Sequence, residues 1–266
     1  MKNNIYGTPK ATLIAVPLPL ETKTYKPVSH ERLIDLTLEG LHTAGLTLTK
    51  ESYTSTNYGN VANASYEIGN IDDDEMSLCI SWRNSYDKSM SLSFIIGALV
   101  KVCGNGMMKS QGLGFFKQKH WGAIQTLTPN TISEYLKGAG EMFQQLQMER
   151  EHMKEIELTR TTQAELIGRM FIEEQFIKST QLNVVKHELQ HPTHNYGDPN
   201  SLWSLYQYTT FAMREDHPSL MIQDHLDAHK FFSTQFSEEV TPLILPVKER
   251  SPYVQLSIFE DPSYVD

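Results

Sequence analysis

Between Ser91 and Cys103 apolar side chains recur on a period of two. Leu92, Phe94, Ile96, Ala98, Val100 and Val102 fall on one face, and Ser93, Ile95, Gly97, Leu99, Lys101 and Cys103 on the other. This period, with its β-branched residues, predicts a strand. Both faces are apolar near the middle, so the strand is expected at the centre of a sheet. Gly97 is expected to mark a bulge or bend. Gly104-Asn105-Gly106 ends the strand, because these residue types accept positive φ. Strand-forming runs precede it at Leu46–Thr54, which alternates Leu with Thr, at Val61–Ile68, and at Met76–Arg83 after the acidic turn Asp72–Glu75. Ala11–Val16 reads as a short strand ended by Pro17. Between these runs Leu33, Leu36, Leu38 and Leu41 make one helical face, with Ser29 as N-cap, Glu31 in the first turn and Gly45 as the stop.

Beyond Asn130 the period changes to that of helices. Ile132, Tyr135, Leu136, Met142, Phe143, Leu146 and Met153 predict a helix over Thr131–Glu157, and further helices are predicted over Thr162–Lys178, Gln181–His191, Ser201–Arg214 and Leu220–Phe232. After Ser237 no helical stripe remains, and Pro242, Pro246, Pro252 and Pro262 predict an extended or disordered acidic tail. The expected class is α+β: a twisted antiparallel β-meander with a packed helix, then a helical C-terminal half. The expected divisions are a sheet domain over 1–128, a helical region packed on it over 129–236, and the tail over 237–266.

Charge changes this picture in one respect. The net charge is −9 over 266 residues, yet residues 1–150 carry as many basic as acidic side chains, so the whole excess lies in 151–266. From Arg83 to Lys119 the chain carries Arg83, Lys88, Lys101, Lys109, Lys117 and Lys119 against one acid, Asp87. Phe115, Phe116 and Trp121 are interleaved with them, and Gly104, Gly106, Gly112 and Gly114 permit close backbone approach. Lysines neutralise phosphates and aromatic rings stack on unpaired bases, so this combination suits a single-strand binder. A solvated rim around an apolar sheet accounts for the same residues. No window is apolar enough to span a bilayer, and the N-terminal ten residues lack a signal-peptide core. Cys79 and Cys103 read as small hydrophobes in core strands of a reduced, cytoplasmic protein. No membrane partner is expected.

Two segments resemble a known family. Asn84–Ser89 (NSYDKS) followed by Val100–Met107 (VKVCGNGM) is similar to the turn and strand end of the phage/plasmid-like family of unknown function known as DUF932. Tyr86 replaces the family's usual His, Lys88 its Gly and Lys101 its Arg, whereas Cys103, Asn105 and Gly106 match. Leu202–Thr210 (LWSLYQYTT) resembles a later family segment through Trp203, Tyr206 and Thr210, with Gln207 where Asn is usual. The resemblance implies a mobile-element context and no settled activity. Asn84, Asp87 and Asn105 are expected to be structural turn residues.

His187-Glu188-Leu189-Gln190-His191 spells a literal H-E-x-x-H, which on a helix would offer His187 and His191 to zinc with Glu188 activating a bound water. Pro192 follows at once and truncates such a helix. The leading expectation is therefore a non-enzymatic phage- or plasmid-type protein of DNA metabolism, without cofactor or metal. It would bind single-stranded nucleic acid, act as a homo-oligomer in strand annealing, and meet a protein partner through its acidic tail. Arg83, Lys88, Lys101, Lys109, Lys117 and Lys119 would contact phosphates, and Phe115, Phe116 or Trp121 would stack bases. The alternatives are a protein-interaction factor that inhibits a host enzyme and, behind it, a zinc-dependent hydrolase at His187, Glu188 and His191.

Overall fold

The computed structural model describes residues 7–109, 115–118, 127–215 and 221–235. Its order is α1 (Lys10–Ile14), α2 (His30–Thr43), β1 (Leu48–Thr56), β2 (Val61–Asp72), β3 (Met76–Ser85), β4 (Leu92–Val100), β5 (Gly106–Met108), β6 (Phe115–Gln118), α3 (Pro129–Leu136), α4 (Ala139–Glu155), α5 (Arg160–Gly168), α6 (Ser179–Gln190), α7 (Leu202–Ala212) and α8 (Met221–Ser233). The strands form an antiparallel sheet in the order β1-β2-β3-β4-β5, with β6 also paired to β4. β5 takes one end of β4's free edge, opposite Gly97–Leu99, and β6 takes the other, opposite Leu92–Ile95. This is the expected α+β class, an antiparallel sheet followed by helices.

The period of two sorts the sheet into unlike faces. Met76, Leu78, Ile80 and Trp82 of β3 pair with Val100, Ala98, Ile96 and Phe94 of β4, and all eight are buried in one apolar cluster with α2, α3, α4 and α7. Each large apolar side chain so buried contributes about 1.5–3 kcal/mol. The alternate residues Ser77, Ser81, Arg83 and Ser93 face the other way and are polar, yet they too are buried. A second apolar cluster lies on that side, where Ile222 and Leu226 of α8 meet Ile95 and Met108.

Four local expectations are corrected. Ala11–Val16 is not a strand: Lys10–Ile14 is a helical turn, closed by Leu13 N–H to Pro9 O and Ala15 N–H to Ala11 O. A short apolar run carries no period long enough to separate the two states. Gly97 makes no bulge, since it pairs in register with Cys79. A Cβ there would stand 2.8 Å from Met107 O, so the glycine admits the backbone of β5. Cys103 is not in a strand, because the chain turns directly after Val100 through bonds from Gly104 N–H and Cys103 N–H to Val100 O. Thr131–Glu157 is two helices, parted at Lys137-Gly138.

Helix α2 begins and ends as read, with Gly45 just past its end at φ 71°. Ser29 caps α2 by accepting from Arg32 N–H, and Thr128, Thr159 and Ser201 cap α3, α5 and α7 in the same way. Helices α2 and α3 touch at Gly40, where a Cβ would lie 2.6 Å from Ile132 Cγ2. Gly40→Val is expected to force the helices apart at a cost of about 1–3 kcal/mol, seen as a fall of several degrees in Tm. An unchanged Tm would mean that Ile132 yields.

Candidate functional site

The family-like residues at the end of β3 and just after it build the upper end of the sheet. Asn84 lies within β3 and donates to Val28 O at 2.9 Å and to His30 Nδ1 at 3.1 Å. His30 Nε2 therefore carries the proton and meets Gly59 O at 3.0 Å, which fixes the neutral tautomer. The His30 ring stacks on Tyr86 at 4.0 Å, and Tyr86 OH accepts from His30 N–H at 2.8 Å. Asp87 accepts from Ser89 N–H and from Asn57 Nδ2, each at 2.9 Å, so the β1–β2 and β3–β4 connections are tied together. Lys88, at φ 65°, holds its ammonium 4.7 Å from the centre of the Tyr25 ring.

The two family-like segments, about a hundred residues apart in sequence, meet in space. Asn105 Nδ2 donates to Gln207 O and Oε1, both at 3.1 Å, and Tyr206 OH donates to Gly106 O at 3.4 Å. Arg214 donates to Cys103 O. Nearby, Glu149 sits between Lys109 Nζ at 2.6 Å and His229 Nε2 at 2.9 Å. Burial raises the Glu149 carboxyl, but His229 and Lys109 outweigh it and hold it below its ordinary value.

On the polar face the register assembles a lateral row: Thr54 opposite Asn63, Asn63 opposite Arg83, Arg83 opposite Ser93, Ser93 opposite Lys117. Arg83 and Lys117 thus lie two strand spacings apart, roughly 10 Å. Arg83 is 6% exposed, and its Nη2 donates to Gln223 Oε1 of α8 at 3.3 Å. Among the described residues no carboxylate reaches ion-pair distance of it, and its Nε has no hydrogen-bond partner. Burial pulls the guanidinium below its ordinary pKa, and the charge of Asp227 opposes this. Below the row opens a cleft of about 90 Å³ lined by Ser65, Ser81, Asn63, Asn105, Arg214 and His225. The His225 ring is buried, and burial first and Arg214 second press its pKa down to about 4.

The other basic residues do not join this row. Lys101 lies at the opposite end of the sheet, roughly 25 Å along the strands, bonded to Asp72 at 2.7 Å. Lys109 is engaged with Glu149. Phe115 and Phe116 pair with Ile95 and Phe94 through β6. Lys119 and Trp121 lie outside the described residues. Arg214 and His225 had drawn no nucleic-acid reading from sequence. Both come from the helical half, more than a hundred residues after the strands they face, and no local pattern marks such a contact.

The H-E-x-x-H residues sit away from the sheet. Helix α6 ends at Gln190, and His191 has left helical geometry (φ −141°, ψ 73°). Glu188 is buried, its carboxylate accepting from Thr193 N–H at 2.9 Å and Thr193 Oγ1 at 2.6 Å, so it caps the end of its own helix. His187 is largely exposed. No cluster of three or more His, Cys, Asp or Glu suited to a metal occurs among the described residues.

The family described as a domain of unknown function (DUF932) matches residues 17–228. The chain belongs to DUF932. The match spans the sheet and every helix from α2 to α7, so the DUF932 unit includes both segments that meet at Asn105 and Gln207. No curated protein and no solved structure matches the chain. Among the described residues of this DUF932 chain, no helix is long and apolar enough to cross a membrane.

Proposed function

We propose that this DUF932 protein binds single-stranded nucleic acid across the polar face and upper end of its sheet. The observation that carries this reading is the row joining Arg83 to Lys117, with Arg83 buried and, among the described residues, without a carboxylate at ion-pair distance. A buried cation without a counter-charge is costly to keep. A phosphate oxygen supplies the missing charge through charge-assisted hydrogen bonds. Lys88 stands at the same end of the sheet, and the partly exposed hydroxyl of Thr54 offers a further donor along the face. Such a surface grips few phosphates per chain, so the protein works as a homo-oligomer on a strand, in phage or plasmid DNA metabolism within the cytoplasm, where strand annealing is the fitting task.

The test is a fluorescence-anisotropy titration of a labelled oligo-dT against the full chain at two salt concentrations. The expected result is binding whose log affinity falls linearly with log salt, with a slope of about −0.7 per phosphate contacted. Absence of binding at low salt would remove this reading and favour a protein partner.

A further inference from the structure

The tip of the β1–β2 hairpin is unlike the rest of the surface. Asn57 and Tyr58 both have positive φ, 51° and 55°, in a turn where glycine or asparagine is the ordinary occupant of the second site. A bulky aromatic residue rarely adopts this backbone, and it persists only where the surroundings over-determine it. They do so here: Asn57 is bonded to Asp87, Tyr86 N–H donates to Asn60 O at 2.6 Å, and Gly59 O meets the buried His30. The product of this scaffold is a tyrosine that is 99% exposed. Burial of its own ring cannot be the reason for a tyrosine at this site.

What surrounds the ring indicates what it meets. Tyr58 follows Asn57 and Lys88 follows Asp87, and those two predecessors are hydrogen-bonded to each other at 2.9 Å. Lys88 is itself left-handed and is held over Tyr25. An exposed π-face and an ammonium held over Tyr25 are thus carried by two turns that are tied to each other. Arg83 lies two residues below the end of β3 on the adjoining face. We infer that Tyr58 is a stacking platform for an unpaired nucleobase, with Lys88 taking the phosphate beside it. This rests on the single-strand reading above and adds the residue that would hold the base. Aromatic stacking tolerates any sequence, because every base has a π-face.

The experiment compares wild type, Tyr58→Gly and Tyr58→Trp on oligo-dT, with the melting temperature of each. Glycine suits the φ of 55°, so Tyr58→Gly should melt no lower than wild type. Its affinity should nevertheless fall roughly tenfold with the salt slope unchanged, since stacking releases no counterion. Lys88→Ala should instead lower the slope by about one contact. Tyr58→Trp should bind as wild type does, with its indole fluorescence quenched by the strand. If wild type binds while Tyr58→Gly binds equally well, the stacking site is wrong and the sheet-face reading stands. If wild type does not bind, both fall.

Discussion

Acidifying the protein from pH 7 to pH 4 is expected to cost on the order of 3 kcal/mol through His225 alone. The folded imidazole has a pKa of about 4, against 6.5 for the unfolded chain. Burial is the larger cause and the charge of Arg214 the second, while a bond to the Gly106 backbone opposes both. Between these two values the unfolded state binds more protons, so stability rises with pH across the window and is lost as pH falls. Below about 4 the loss levels off. Asp73 then adds a second step. Burial raises its carboxyl, but bonds from Gln147, from the backbone of Met76 and Glu75 and from Arg150 outweigh it and hold the pKa at about 2. Its contribution is present above the unfolded value of 3.8 and disappears as pH falls toward 2. Urea unfolding at pH 7, 5.5 and 4 measures the first step. His225→Gln keeps a donor for the Gly106 carbonyl and cannot take up the proton, so its stability should change little across that range. A variant curve as steep as the wild type's would assign the proton to another group.

The second large effect concerns the lateral row. Lys117→Glu should weaken oligo-dT binding on the order of tenfold at low salt and reduce the salt slope by about one contact. Arg83→Gln should act in the same direction, without placing a buried negative charge beside Asp227. Lys101→Gln is the control, because that ammonium is bonded to Asp72 at the far end of the sheet. Equal losses in all three variants would point to diffuse attraction with no built surface. A loss confined to Lys101→Gln would place the strand at the other end of the molecule.

Much of the scaffold could be read in advance because local chemistry dictates it. The alternation from Ser91 onward, the Ser29 cap and the stop at Gly45 each depend on residues within a few positions of one another. The lateral row was only half legible. Arg83 and Lys117 drew attention as basic residues, but Lys101 and Lys109 looked the same in sequence. What separates these two from Arg83 is an acid from another element that neutralises them, Asp72 for one and Glu149 for the other. That is a property of tertiary pairing, and composition along the chain does not record it. The short strand expected at Ala11 failed for a related reason: only Leu13 of that helical turn is buried, so the segment carries too little pattern to report a period. Tyr58 escaped notice because its distinguishing features, backbone sign and exposure, exist only once the hairpin has closed.

The junction between Asn105 and Gln207 also bears on how the chain is made. Residues are synthesised in order, and the β4–β5 turn emerges from the ribosome about a hundred residues before its partner. Until α7 appears, the Asn105 amide and the Gly106 carbonyl lack the groups that satisfy them in the finished molecule. The three-stranded meander of β1, β2 and β3 can settle early, since its contacts are sequential. The β4–β5 turn has to wait for α7. A nascent chain arrested before Gln207 should therefore leave that turn uncovered, and it is there that premature release or a trigger-factor-type chaperone would meet the unfinished protein.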